Sequence, residues 1–172
     1  SALILTGKAE SIRFSSPHPA DMTEASIAVM RECSKVAPYL HLPIQSGSDR
    51  MLAAMDRGHT LAEYLTLVEK LRDAVPDLAL STDIIVGYPG ETDEDFEATS
   101  SVMDDVGYDH AYLFKYSRRE GTRAFRLEET VSETEKSTRL GRLIAEQETR
   151  SAAINRRAVG RTTQVLVESR PK

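Results

Sequence analysis

The sequence is poor in the residues that build disulfides, metal clusters and membrane spans. It has one cysteine, Cys33, no tryptophan and 6% aromatic residues. A single cysteine cannot form an internal disulfide, nor hold an iron–sulfur cluster or a structural zinc ion by itself. No apolar run approaches the roughly 18 residues of a transmembrane helix, and residues 1–10 lack the pattern of a signal peptide. We therefore expect a cytoplasmic, reducing setting and no membrane association.

Charge is distributed unevenly along a chain whose composition is otherwise that of a globular domain. Hydrophobic residues make up 40% and charged residues 28% of the 172 residues, which excludes disordered and low-complexity classes. Residues 1–117 carry 9 Lys and Arg against 19 Asp and Glu, whereas residues 118–172 carry 13 against 8. The basic part is either a candidate polyanion-binding region or simply a charged helix surface.

Short apolar runs typical of strands alternate along the sequence with segments whose apolar residues recur at the spacing of a helix. Strands are predicted over residues 11–15, 39–45, 78–86 and 111–116, with a further strand over 162–168. Helices are predicted after Thr23, after Ser48 or Asp49, and after two capping boxes, Thr60 with Glu63 and Thr92 with Asp95. A long helix is predicted from residue 132 to about 159, with one stripe formed by Leu140, Leu143, Ile144, Gln147, Ser151 and Ile154.

Strands separated by helix-length connections predict an α/β fold with a parallel sheet. Such a sheet curls toward a (β/α) barrel, but four strands cannot close one. We therefore expect a partial barrel, followed by the long helix and the first strand of a β domain. The unpaired strand edges predict aggregation, or a partner that covers them.

Polar and turn-forming residues follow all four predicted barrel strands, at 15–19, 45–49, 87–92 and 115–119. Because ligands of parallel α/β proteins bind at the carboxyl ends of the strands, these segments predict a shared pocket. Turns favour the same residue types, so each segment alone is weak evidence. The segment 87–91 matches neither a dinucleotide fingerprint nor a P-loop.

Individual residues leave alternatives open. His18 lies between two prolines and is a substrate contact or a turn histidine. Gln45 suits a ribose or a carboxylate, or satisfies buried backbone. Asp83, inside an apolar strand, is better explained by a polar ligand in a barrel lumen than by burial. His41 is lumenal or covered. The remaining candidates have structural interpretations, with Cys33 predicted to be buried and His59 to lie on the surface.

Four long motifs, in this order, resemble those of the radical S-adenosylmethionine methylthiotransferases. They are SPHPADMT at 16–23, LHLPIQSGSDRMLAAM at 40–55, STDIIVGYPGETDEDF at 81–96 and FKYSRREGT at 114–122. The resemblance implies a radical barrel that adds a methylthio group to C2 of an isopentenylated adenosine beside the tRNA anticodon. It also implies S-adenosylmethionine and two [4Fe–4S] clusters as cofactors, but this chain lacks the cluster cysteines, so alone it is expected to be inactive.

The same resemblance implies site residues. The GxIxGxxE motif of the fifth barrel strand falls on residues 83–90, where Ile85 and Gly87 fit but Asp83 and Gly90 depart from it. The cofactor residues implied are Arg13, Ser15, Gln45, Ser46, Gly47, Asp83, Ile85, Gly87, Lys115 and Tyr116. The candidate substrate or tRNA contacts come from position and charge, and they are His18, Arg118, Arg119, Arg123, Arg156, Arg157 and Arg161, with Arg126 also following the last barrel strand.

The resemblance also implies a domain plan. Residues 1–130 correspond to the later part of the barrel, 131–159 to a linking helix and 160–172 to the start of a TRAM RNA-binding domain. The rest of the polypeptide, or another chain, would complete the barrel. Two alternatives remain open: a relative acting on threonylcarbamoyladenosine or a ribosomal protein, and a non-catalytic α/β module that binds a nucleotide or RNA.

Overall fold

The computed structural model describes residues 11–14 and 17–162. In these ranges four parallel strands form one sheet in chain order: β1 (Ile12–Phe14), β2 (Val36–His41), β3 (Ala79–Val86) and β4 (His110–Lys115). The helices are α1 (Glu24–Glu32), α2 (Asp49–Ala54), α3 (Leu61–Ala74), α4 (Asp93–Val106) and α5 (Glu133–Ala158). Two short 3₁₀ turns cover Pro19–Asp21 and Arg123–Arg126.

Each helix starts where the sequence provides an N-cap. Thr23, Ser48 and Ser132 accept a hydrogen bond from a backbone N–H of the first turn, which satisfies a donor that the helix cannot pair internally. Both predicted capping boxes, at Thr60 and at Thr92, form in full. The predicted helix starts are therefore confirmed.

The core lies between one face of the sheet and the helices. Leu80, Ile84 and Val86 of β3 point into it and are completely buried, together with Leu143 of α5. The alternate residues of β3 face the other side, as the two-residue period of a strand requires. There Asp83 pairs in register with Tyr112 and Ile85 with Phe114, and both aromatic residues are about half exposed. The sheet is therefore covered on one face only, as expected of part of a barrel.

The second strand differs from its prediction. It covers Val36–His41 instead of 39–45, and it ends before Pro43, which has no N–H to donate to the ladder. The chain continues beside β3, and Gln45 makes an isolated parallel bridge to Ile84 with a left-handed φ of 76°. Gln45 thus leaves the strand but stays at its carboxyl end.

The buried face of α5 also differs from its prediction. Leu143 and Gln147 are buried as expected, but Ile144 is 41% exposed. Lys136 and Arg139 are buried in its place, which the sequence did not indicate because long basic side chains are rarely enclosed.

Some expectations fall outside the described residues, namely Ser15 and the predicted strand and TRAM segment over 163–172. None of the helices in the described ranges combines the length and apolar character needed to cross a bilayer.

Candidate functional site

A cavity of about 460 Å³ opens at the carboxyl ends of β2, β3 and β4. Gln45, Ile85 and Tyr116, each predicted from the sequence, line it together. Tyr88 and Arg123 complete its wall and mouth. Three of the four predicted polar strand ends, those after β2, β3 and β4, therefore border a common hollow, whereas residues 17–19 of the first segment do not line it.

Two tyrosines form the aromatic wall of this cavity. The rings of Tyr88 and Tyr116 meet edge to face, with centroids 5.2 Å apart. The Tyr88 hydroxyl donates to the Ala54 carbonyl at 3.0 Å, and the Tyr116 hydroxyl donates to the Ala124 carbonyl at 3.1 Å. Because both phenols are anchored to backbone, the rings present a fixed apolar surface to the cavity. Sequence reasoning missed Tyr88, although its position directly after a strand-ending glycine was an available signal.

Gln45 enters the cavity from a strained backbone position. A left-handed φ costs a residue with a Cβ roughly 1 kcal/mol or more, and such strain concentrates at functional sites. Its backbone is held on both sides, since the Gln45 N–H donates to Asp83 and the Gln45 carbonyl accepts from Ile85. The carboxamide makes no hydrogen bond to any residue in the described ranges, so its donors and acceptor are free for a ligand.

Several polar side chains form a hydrogen-bonded cluster on the exposed face of the sheet, beside the cavity. The Ser81 hydroxyl lies 2.7 Å from the Tyr39 hydroxyl and 2.8 Å from Nδ1 of His41. Nε2 of His41 lies 3.4 Å from a carboxylate oxygen of Asp83. Arg13 lines the same shallow depression. Of the two alternatives left open for His41, the structure gives the lumenal one, and Asp83 also faces this side.

Arg13 and Asp83 on the adjoining sheet face, and Gly87 in the loop after β3, do not line the cavity, and three further predicted cofactor residues also lie away from it. The Ser46 hydroxyl is buried 3.2 Å from the Thr99 hydroxyl of α4, and a Cβ on Gly47 would overlap the α4 backbone. Both residues therefore fasten the turn after β2 to α4. The Lys115 ammonium points to α5, where it donates to Glu133 at 3.2 Å. Strand alternation turns Lys115 away from the face that carries Tyr116.

The loop after β3 contains an acidic residue that the motif spacing missed. The Gly87 N–H donates to Oε2 of Glu91 at 2.7 Å, and Arg139 donates to the same oxygen at 2.7 Å. The motif places its acidic residue at position 90, one residue before Glu91. Matching the sequence to the motif therefore did not identify Glu91. Burial raises the pKa of the Glu91 carboxyl, although the Gly87 and Arg139 hydrogen bonds oppose this rise. Gly87 itself is covered by the side chain of Lys136.

His18 lies apart from the cavity lining. Its Nδ1 accepts from the Ala20 N–H at 3.2 Å, which makes it the cap of the 3₁₀ turn, and its ring contacts His59 with centroids 5.5 Å apart. His59 was predicted at the surface, but both its ring nitrogens are shielded from solvent. Burial, with Arg57 and His18 nearby, lowers the pKa of His59.

The arginines predicted to contact tRNA are exposed. Arg123 lies at the cavity mouth and pairs with Asp56 at 3.2 Å. Arg118 lies over the Phe125 ring, and Arg126 shares a second depression with Arg123. The remaining members of this set are Arg119 and, at or beyond the last turn of α5, Arg156, Arg157 and Arg161.

Comparison with known families agrees with this geometry. Residues 2–102 match the Radical SAM superfamily. The chain belongs to this superfamily.

Curated relatives of this radical SAM chain share one name. The tRNA-2-methylthio-N(6)-dimethylallyladenosine synthase of Magnetococcus marinus is 55% identical over 159 residues, which are 92% of this chain and 36% of that protein. The synthase of the same name from Erythrobacter litoralis is 52% identical over 91% of this chain and 35% of its own length. The chain thus spans about a third of the length of the curated relatives it matches.

A solved structure supports the radical SAM fold. Coproporphyrinogen III oxidase from Escherichia coli superimposes with a TM-score of 0.65 and 19% identity, covering 81% of this chain and 32% of the oxidase. The predicted partial barrel of parallel strands is confirmed by this match and by the sheet order.

The residues present fit one of the two cofactors of a radical SAM protein. The aromatic wall and the free Gln45 carboxamide suit the adenosyl part of S-adenosylmethionine. An iron–sulfur cluster does not fit, because it needs several thiolates and Cys33 is the sole cysteine, placed at the end of α1. Within the described ranges no group of three or more His, Cys, Asp or Glu is arranged to hold a metal ion.

Proposed function

We propose that this chain is the cofactor-binding part of a radical SAM methylthiotransferase that modifies C2 of N6-dimethylallyl (isopentenyl) adenosine in tRNA. The 55% identity with a synthase of that name, over 159 residues, carries the proposal. The chain matches only 36% of that relative. We therefore assign the cluster ligands and the rest of the barrel to another part of the polypeptide or to a partner chain. A tRNA substrate favours a cytoplasmic location.

The cavity residues receive distinct roles in this proposal. Ile85, Tyr88 and Tyr116 pack against the adenine, and the Gln45 carboxamide hydrogen-bonds the ribose. Arg13 and Asp83, on the adjoining face, orient the charged methionine end or the substrate base. These residues would hold S-adenosylmethionine, which would supply the radical chemistry together with a cluster bound outside this chain. The contribution of this chain is to hold the nucleoside in place and keep water away from it.

We assign tRNA contact to the exposed arginines at the cavity mouth. Arg118, Arg119 and Arg123 follow the last strand, so a phosphate backbone bound there would lie next to the adenosyl site. Arg156, Arg157 and Arg161 form a second basic group at the end of α5. The domain plan, with a TRAM segment from residue 160, remains part of the proposal.

A chimera tests this function. The matching residues of the Magnetococcus marinus synthase are replaced by this chain, and tRNA from a host without its own synthase is analysed by mass spectrometry of its nucleosides. We expect 2-methylthio-N6-dimethylallyladenosine at the level that the unaltered synthase gives.

The chimera must also show the absorbance of its iron–sulfur clusters, so that misassembly is detected. A cluster-loaded chimera that yields no methylthio product would overturn the proposal. A methylthio group found only on threonylcarbamoyladenosine would assign the chain to the alternative substrate.

A further inference from the structure

Helix α5 buries two basic side chains against the loop that follows β3. The side chains of Lys136 and Arg139 are 1% and 6% exposed. Enclosing a charge is costly unless it is paired and fully hydrogen-bonded. An ordinary amphipathic helix would present aliphatic residues at these positions, so their burial needs a local explanation.

The Arg139 guanidinium pairs with three carboxylates. Its Nη1 donates to Glu91 Oε2 at 2.7 Å, and its Nη2 donates to Asp93 at 2.7 Å and to Glu135 at 3.0 Å. The Glu91 side chain is completely buried and also receives the Gly87 N–H. Arg139 therefore fixes the first and last residues of the 87–91 loop through one carboxylate.

Lys136 also packs against the 87–91 loop. Its aliphatic stem lies on Gly87 so closely that a Cβ there would overlap it. Its ammonium pairs with Glu129 at 3.0 Å and Glu133 at 2.9 Å, and lies 5.6 Å from the centre of the Tyr116 ring. Lys136 thus contacts both the loop and one half of the aromatic wall.

The loop carries the other half of the wall, Tyr88. Its position relative to Tyr116 depends on how residues 87–91 are held. We propose that Arg139 and Lys136 are positioning residues that hold this loop so that Tyr88 and Tyr116 form the adenosyl-binding wall, an inference that rests on the proposed function. The first turns of helix α5, which carry these two residues and do not contact S-adenosylmethionine in this proposal, then set the shape of the cavity.

Arg142 offers a matched control on the same helix. Like Arg139, it lies over the Phe96 ring and pairs with acidic residues, here Glu97 and Glu146. Unlike Arg139, it is exposed, and within the described residues its hydrogen bonds go to those two glutamates and not to the 87–91 loop. A general loss of charge or helix stability would affect both positions, whereas loss of loop positioning affects Arg139 alone.

The experiment labels the chain with 3-fluorotyrosine and follows the ¹⁹F resonances of Tyr88 and Tyr116, assigned with single Tyr→Phe variants. Arg139→Gln is expected to shift both resonances, whereas Arg142→Gln leaves them unchanged. Arg139→Lys keeps the positive charge but lacks the planar guanidinium that bonds several carboxylates at once. Its Tyr88 and Tyr116 resonances should lie between those of the wild type and those of Arg139→Gln. Calorimetric titration with S-adenosylhomocysteine should show at least tenfold weaker binding for Arg139→Gln and unchanged binding for Arg142→Gln.

Glu91→Gln decides the case if Arg139→Gln fails to fold. It removes the negative charge that Arg139 pairs with but keeps an oxygen that can accept from the Gly87 N–H, and it leaves Arg139 paired with Asp93 and Glu135. The same two resonances should therefore shift, by less than in Arg139→Gln. Unchanged Tyr88 and Tyr116 resonances in a folded variant, or equal shifts in Arg142→Gln, would overturn the positioning role. Failure of the wild-type chain to bind S-adenosylhomocysteine would instead count against the proposed function, since the resonances report loop position without ligand.

Discussion

Gln45 shows how a single residue can hold a site at the expense of local stability. Its φ of 76° favours glycine, while its side chain lines the cavity with a free carboxamide. The sequence placed Gln45 at a strand end and identified its chemistry, but not the backbone conformation. The regular strand ends at His41, and the structure was needed to show that Gln45 beyond it adopts a left-handed φ.

Gln45→Gly separates these two contributions. Relief of the left-handed strain should leave the free energy of unfolding equal to wild type or up to about 1 kcal/mol higher. Loss of the carboxamide should weaken S-adenosylhomocysteine binding about tenfold, the effect of one hydrogen bond to a buried polar ligand. Urea denaturation and calorimetry measure the two quantities. A variant that is less stable yet binds normally would contradict the assigned role.

Asp95 is a carboxylate with a strongly lowered pKa and a direct link to the site. Burial alone would raise the pKa of this group, but hydrogen bonds from Ser48, Thr92 and Arg50 lower it to about 2. Arg50 also donates to the Gly90 carbonyl at 2.7 Å, so Asp95 ties the turn after β2 to the loop after β3.

Asp95→Asn should therefore destabilise the chain in a pH-dependent way. The folded-state pKa lies below the ordinary value of 3.8, so the carboxylate stabilises the fold above about pH 4. This stabilisation, roughly 2 kcal/mol, is lost as the pH falls from about 4 to 2. Denaturation at pH 7 and at stepwise lower pH should show the gap between wild type and variant closing in that window. A gap independent of pH would assign the effect to packing.

For the helices, the sequence predicted the first residues more reliably than the faces that are buried in the core. Caps such as Thr60 and Thr92 act within one turn, and local sequence therefore identifies them. Burial of Lys136 and Arg139 depends on carboxylates from distant segments, such as Glu91. The apolar periodicity of α5 does not report these distant contacts. The predicted buried stripe therefore included Ile144 and omitted Lys136 and Arg139.

Two adjacent residues of α5 test the observed stripe. Leu143 is completely buried, whereas Ile144 is 41% exposed. Leu143→Ala should lower the free energy of unfolding by about 2–5 kcal/mol, because it leaves a cavity in the core. Ile144→Ala should cost less than about 1 kcal/mol. Urea denaturation of both variants compares them directly, and a loss at Ile144 as large as that at Leu143 would support the stripe predicted from the sequence, which contained both residues.

For the molecule as a whole, sequence located the rim of the site but not the direction of its side chains. Three of the four predicted polar strand ends border one hollow, yet Ser46, Gly47 and Lys115 turn toward helices. A strand sends neighbouring residues to opposite faces, so a one-residue difference in register decides which ones reach the cavity. The resemblance indicated segments that border the cavity, and the structure was needed to show which of their side chains line it.

The charge gradient along the chain leads to a prediction about the whole protein bound to tRNA. Arg118 and Arg119 lie in the basic part and are exposed beyond β4. In the chimera, neutralising both to glutamine should weaken tRNA binding. It should also reduce the slope of log affinity against log salt by about 0.7–0.9 for each phosphate that is no longer neutralised, because fewer counterions are released. Filter binding across a salt series measures both quantities.

The control removes the same number of charges from the opposite part of the sequence. Arg31 and Lys70 are exposed on α1 and α3, where each pairs with a glutamate. Neutralising both changes the net charge of the protein equally, but should leave the salt slope unchanged because no phosphate is expected beside these helices. An equal reduction of the slope in both double variants would show that tRNA responds to overall charge. A reduction confined to the variant at Arg118 and Arg119 would place the phosphate backbone at the mouth of the cavity, where the modified base must enter.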